Sequence, residues 1–208
     1  MLRKRKDFYQ SMLELRAKEP ASSYRYDIAE PTSDVLLMAP HGGAIESGTA
    51  EIARMIAGSD FKLFAFIGQR RDAKGRLSGN FSRLHVTSEH YDDPDARRIA
   101  AGADIVVAIH GTGLPEAHVG GLDVELAGKI QNALRGAKFP VATKAAPHLA
   151  ATRKQNICNL NASKRGVQIE LPRAMRSREA RDQVAKIILS AMTEQLKAQS
   201  NYASTASN

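Results

Sequence analysis

The sequence predicts an α/β fold: a single domain with a mostly parallel mixed sheet and helices on both faces. Three observations carry that expectation. Short apolar runs ended by Pro or Gly read as buried strands. Longer segments with apolar residues at every third or fourth position lie between them and read as helices. The two types alternate along 208 residues, enough for one domain with a substantial core.

In chain order, the first strand is 34–39 (DVLLMA), stopped by Pro40. A helix over 49–57 puts Ile52, Met55 and Ile56 on one face and closes at Gly58. The run 61–67 (FKLFAFI) is a second strand ended by Gly68, and 84–87 reads as a short third. Asp93 is placed to cap a helix with Pro94 at its first position, ending by Gly102. The most strand-like stretch is 104–109 (DIVVAI). A helix over 122–134 follows, stopped by Gly136, then strands over 139–143 and 167–171, the latter ended by Pro172. Ser177 caps a last helix with Ala180, Val184, Ile187, Ile188, Ala191 and Met192 on one face. The folded domain is expected over 1–200, with the small polar stretch 201–208 as a disordered tail.

Composition narrows the function. The net charge is +8 and the pI about 9.7, so polyanions are attracted to the surface. Nucleic acid, anionic lipid and an anionic polymer all fit that charge. Trp is absent and aromatic residues make up 5%, which argues against a stacking groove for single-stranded nucleic acid. No run reaches the roughly 18 apolar residues of a membrane span. The basic start, MLRKRKDFYQ, has no apolar segment behind it, so no signal peptide is read and the cytoplasm is the expected location. Cys158 is the single cysteine. It excludes an intrachain disulfide and a thiolate-rich zinc site, leaving any metal to His and carboxylate.

In such sheets ligands gather beyond the carboxyl ends of the strands, and three strand ends carry reactive residues. The first delivers Pro40-His41-Gly42-Gly43-Ala44-Ile45-Glu46, another His110-Gly111-Thr112-Gly113, and the last carries Glu170. Two histidines and a carboxylate are a standard donor set for catalytic zinc. A further carboxylate beside them can take a proton from water. Singly, each residue has a plainer use: His41 as a turn residue, Glu46 as a solvated side chain, His110 as a buried and satisfied histidine. Glu170 between Ile169 and Leu171 is harder to place without a partner. His85, His90, His118 and His148 remain as substrate contacts. Arg70, Arg71, Arg83, Lys164, Arg165, Arg173 and Arg176 flank the motifs; they are solvated surface or the walls of a carboxylate-binding cleft.

Several segments, in order, resemble one family: APHGGAIESGTAEIA (39–53), LHVTSEHYDDPDA (84–96), VVAIHGTG (106–113), VGGLD (119–123), APHLAATRKQNICN (146–159) and GVQIELPRAMR (166–176). The chain is similar to the phage-type poly-γ-glutamate hydrolases, and residues 3–27 resemble that family's opening helix less specifically. The resemblance implies a zinc carboxypeptidase-like fold, one Zn2+, and cleavage of γ-glutamyl amide bonds. It puts His41, Glu46 and His110 on the metal and makes Glu170 the general base, with Arg83, Arg165 and Arg173 as candidate holders of substrate carboxylates. Zinc carboxypeptidases use His-x-x-Glu, whereas four residues separate His41 from Glu46 here. That spacing is as in the poly-γ-glutamate branch, which tends to have a third small residue after His-Gly-Gly, here Ala44; Pro172 stands where the family often has Ser, and neither removes a reactive group. Two rivals are an amidohydrolase acting on a small acylated amino acid and a basic nucleic-acid-binding protein of phage replication. Neither a nucleotide loop nor a polymerase-like carboxylate set supports the last.

Overall fold

Six apolar or half-apolar runs pair into one sheet of order β1-β3-β2-β4-β6-β5. The computed structural model describes the backbone of residues 7–206 and the side chains of 7–198. The strands are β1 (Tyr24–Ala29), β2 (Val35–Gly43), β3 (Lys62–Gly68), β4 (Ile105–Thr112), β5 (His118–Gly121) and β6 (Val167–Pro172). The inner four are parallel, and the two edge strands are antiparallel to their neighbours. The helices are α1 (Met12–Lys18), α2 (Thr49–Ala57), α3 (Asn80–Leu84), α4 (Pro94–Ala101), α5 (Val124–Gly136) and α6 (Arg181–Ala206).

Strand alternation divides the core in two. Val35, Leu37 and Ala39 of β2 pack with Ile52 and Ile56 of α2, Leu126 and Ile130 of α5, and Val184 and Ile188 of α6. Leu36 and Met38 point the other way, onto Met12 and Leu15 of α1 and Ala96 and Ile99 of α4. Helices therefore cover both faces, as the parallel centre requires. The helix after β2 packs on one face and the helix before β4 on the other. The chain reverses direction across the sheet at β2, which leaves a crevice between the carboxyl ends of β2 and β4.

The structure changes several expected elements. β2 does not stop at Pro40. Pairing with β4 ends at Met38, and against β3 the register slips between Ala39 and Gly42. Pro40 sits in that bulge, where its missing N–H costs no ladder bond. The stretch 84–87 is not a strand: Leu84 closes α3 and 85–87 form a loop. The stretch 139–143 gives only an isolated bridge between Ala117 and Val141. The opening helix is short, and the edge strand Tyr24–Ala29 begins inside the stretch 3–27 likened to a helix. Met55 is 40% exposed and leaves the apolar face of α2 to Ile52, Ala53 and Ile56. α5 begins two residues later than expected, capped by Asp123, whose side chain accepts from Leu126 N–H. The Asp93 cap with Pro94 behind it stands as expected. Ser177 Oγ accepts from Ala180 N–H just before α6. That helix carries the backbone to Ala206, into the stretch expected to be a tail. Ser207 and Asn208 lie outside the described residues.

Two glycines test this packing in opposite directions. Gly43 has φ +65°, and a Cβ there would lie 2.6 Å from the Gly68 carbonyl oxygen. Gly43→Ala is expected to lower stability by about 1–3 kcal/mol. Gly128, within α5, has open space at its Cβ position. Gly128→Ala is expected to raise stability by roughly 0.5–1 kcal/mol. Urea unfolding of both variants measures the signs.

Candidate metal centre

The bulge in β2 brings the site together. From Ala39 to Gly42, β2 advances three residues while β3 advances two. A Cβ on Gly42 would meet Ala50 and Ile67, on the same face as Ala39. His41 is thereby turned to the opposite face, onto which β4 also points Ala108 and His110. Glu170 pairs in register with His110, and Gln168 and Glu170 alternate with Val167, Ile169 and Leu171 of the other face. A tight turn returns Glu46 to the same place, with Glu46 N–H donating to the His41 carbonyl at 2.9 Å.

Three donor atoms converge there. His41 Nδ1 lies 3.2 Å from Glu46 Oε1 and 3.2 Å from His110 Nδ1. His110 Nδ1 is 3.9 Å from Glu46 Oε2. One ligand atom from each of the three residues fits within 4.8 Å of the others, and all three residues are buried. The surroundings orient them. His41 Nε2 is 2.9 Å from the Val86 carbonyl oxygen, which can only accept, so Nε2 carries a proton and Nδ1 faces inward. His110 Nε2 is 3.4 Å from Ser88 Oγ. Gly111 N–H donates to Glu46 Oε2 at 2.7 Å. Behind Gly111 lies Arg176, whose guanidinium carbon a Cβ would approach to 2.6 Å.

Burial and close contact shift the ionisable groups of the site in different directions. Burial opposes ionisation of Glu46, but His41, His110 and His85 outweigh it and hold the carboxyl at about 2. Burial and then the neighbouring His41 pull His110 down to about 3, leaving the lone pair of one ring nitrogen free. His41 is also opposed by burial, yet Glu46 raises it above the ordinary histidine value. Burial and then the charge of Glu46 lift Glu170 well above the carboxylate range. Gln168 Nε2 donates to Glu170 Oε1 at 2.9 Å, and Asn156 donates to Gln168.

These groups open on a cleft of about 460 Å³ walled by Phe81, His85, Ser88, Thr112, His148, Thr152 and Arg153 among others. Arg83, Arg165 and Arg173 do not line it. Arg83 is bound to Glu19 and Tyr9 and stacked on Phe8. Arg165 precedes β6, about 16 Å of strand from Glu170 at ~3.3 Å per residue and at the opposite end of the sheet. Arg173 starts the turn after β6 at the correct end but outside the lining. Sequence reasoning left Arg153 and Asp7 unassigned and named His85 only among possible substrate contacts. Arg153 is the one Arg or Lys among the described lining residues. His85 stacks on His41 with ring centroids 4.1 Å apart. Asp7 binds His85 Nδ1 at 2.8 Å. Burial would raise the Asp7 carboxyl, but bonds from His85 and Thr87 hold it at about 2. Arg153 and His85 lie in quoted motifs; nothing local marked Asp7.

Residues 9–196 match the model of the poly-gamma-glutamate hydrolase family. The chain belongs to that family. Among relatives, it is 36% identical over 168 residues to the SPbeta prophage-derived UPF0714 protein YoqZ of Bacillus subtilis, covering 79% of this chain and 58% of that one. It is 33% identical over 173 residues to YndL of the same organism, covering 82% and 66%. The chain thus spans less than two thirds of either relative. A solved bacteriophage poly-gamma-glutamate hydrolase superposes with TM-score 0.81 at 27% identity, covering 93% of this chain and 100% of that one. A zinc-free apo form of YndL gives 0.78 at 30% identity, covering 92% and 98%. No helix among the described residues is long and apolar enough to cross a membrane.

Proposed function

We propose that the chain is a zinc-dependent hydrolase that cleaves γ-glutamyl amide bonds of poly-γ-glutamate. The observation that carries this is the convergence of His41, Glu46 and His110 donor atoms within 4.8 Å at the floor of a cleft that also holds Glu170. The donor chemistry fits zinc. Two imidazole Nδ1 atoms face each other at 3.2 Å beside a carboxylate, and a cation between them relieves that opposition. The zinc-free form of YndL is consistent with a metal at the same place.

Zinc held there would supply Lewis acidity, lowering the pKa of a water to about 7 and polarising the scissile carbonyl. The chain's own groups do the rest. Glu170 takes a proton from the attacking water and returns it to the leaving amine. Gln168 and Asn156 fix the orientation of Glu170. Gly111 N–H holds Glu46, and Val86 holds His41. Arg153 faces the cleft with only a 3.4 Å contact to Glu89 and is placed to meet a substrate carboxylate.

The test is incubation of the zinc-loaded chain with poly-γ-glutamate, followed by sizing of the products. Shortened chains are expected; release of small acyl groups from acylated amino acids with the polymer untouched would sink this reading. In the same assay Arg153→Ala is expected to raise KM roughly 2–5-fold, since an exposed ion pair contributes at most about 1 kcal/mol. Added salt should shrink the difference, the Debye length being about 10 Å at 0.1 M. Arg165→Ala and Lys197→Ala serve as controls, and an equal rise in all three would show that Arg153 has no special part.

A further inference from the structure

We propose that Asp7 is a positioning residue for the metal centre, fixing the Val86 carbonyl that holds the His41 ring by its Nε2–H. The inference rests on the reading of His41 as a metal ligand. The segment 85–87 belongs to no helix or strand, so no ladder fixes its backbone. Asp7 does so from both sides of Val86. Its Oδ2 accepts from Thr87 N–H at 2.6 Å, and its Oδ1 lies 2.8 Å from His85 Nδ1. Between those two anchors the Val86 carbonyl accepts from His41 Nε2 at 2.9 Å. The same carboxylate fixes the His85 ring, which stacks on His41 at 4.1 Å with 31° between the planes. Asp7 thus reaches the His41 ring by two routes, one along the backbone and one through a stacked imidazole.

The contact matters because a histidine ligand needs its other nitrogen occupied. With Nε2–H directed at Val86, Nδ1 keeps a lone pair facing Glu46 and His110. If the Val86 carbonyl drifts, the ring can turn and carry its proton on Nδ1 instead. The segment bearing Asp7 is held in place by other means. Tyr9, Met12 and Leu15 are buried in the core. Tyr9 donates to Glu19, and the Leu13 N–H donates to Asp92. Removing the Asp7 carboxylate therefore leaves the segment docked and the chain folded.

The experiment measures two quantities on the full chain: zinc affinity by competition with a chelator, and the His41 Nε2–H resonance by 15N NMR without metal. Asp7→Ala is expected to weaken zinc binding by about 10–100-fold and to lose the protected Nε2–H signal. Asp7→Asn keeps an oxygen for Thr87 N–H and should fall between Asp7→Ala and wild type. Ser11→Ala removes the N-cap of α1 without touching 85–87, and should change neither quantity. Wild-type zinc affinity in Asp7→Ala overturns the proposal, as does an equal loss in Ser11→Ala. If the wild type takes up no zinc, the metal reading itself fails. The Nε2–H signal then decides alone, and its survival in Asp7→Ala shows that Asp7 does not position His41.

Discussion

Glu170→Gln is expected to lower kcat by about 10²–10⁴-fold while zinc content and thermal midpoint stay at the wild-type level. The replacement amide keeps the shape and an oxygen for Gln168, which donates to Glu170 Oε1, so packing on β6 is preserved. What it loses is the capacity to take a proton. Burial and the nearby Glu46 hold the Glu170 carboxyl protonated more strongly than usual. A positive charge in the centre would oppose that shift and favour the ionised form that a base requires. A ligand role predicts a different result: lost zinc, with activity restored by excess metal. A purely structural role predicts a lower thermal midpoint with normal turnover per folded molecule. Zinc content, midpoint and kcat from one preparation separate the three, and a near-wild-type kcat ends the base assignment.

His41→Ala and His110→Ala are each expected to lose zinc and activity together. Lewis-acid stabilisation of several kcal/mol corresponds to about 10³-fold or more in rate, so residual turnover should approach background. The fold should survive. The two apolar clusters that hold the sheet between its helices include neither histidine, and His110 is pulled down to about 3 in the metal-free chain. Its replacement therefore removes no buried charge. Elemental analysis alongside circular dichroism checks both claims, and a full zinc equivalent in both folded variants would show that the ligands lie elsewhere.

The sheet's four parallel strands were legible because strands buried on both faces carry runs of apolar residues, broken here mainly by the polar residues of the site. The edge strands were not. Tyr24–Ala29 is mostly half-buried or exposed and carries Arg25 and Asp27. His118–Gly121 has four residues, two of them glycine. Their identity comes from pairing with β3 and β6, which local composition does not encode. Val86 misled for a related reason: it is fully buried, but in a loop whose carbonyl serves His41. Of the residues that converge, His41 and His110 were readable near strand ends followed by glycines, and Glu170 as a carboxylate on an apolar strand. Arginine placement was not, because a basic residue next to a motif in sequence can point anywhere. Arg165 lies at the wrong end of its strand, and Arg83 is committed to Glu19. Arg176, named only as one of several flanking arginines, packs against Gly111 and donates from Nε to the Leu171 carbonyl at 2.9 Å.

The extra residue between Ala39 and Gly42 gives the motif a parity. Along an unbroken strand, side chains at odd separations point to opposite faces, so His41 would share the side of Leu37 and Ala39, under α2. A chain that kept every residue but paired without that slip would carry its two histidines on opposite sides of the sheet. It would match the motif's letters and be unable to gather the donors. Whether these donors can meet is therefore set by the slip in pairing between Ala39 and Gly42 as much as by the identity of the histidine itself.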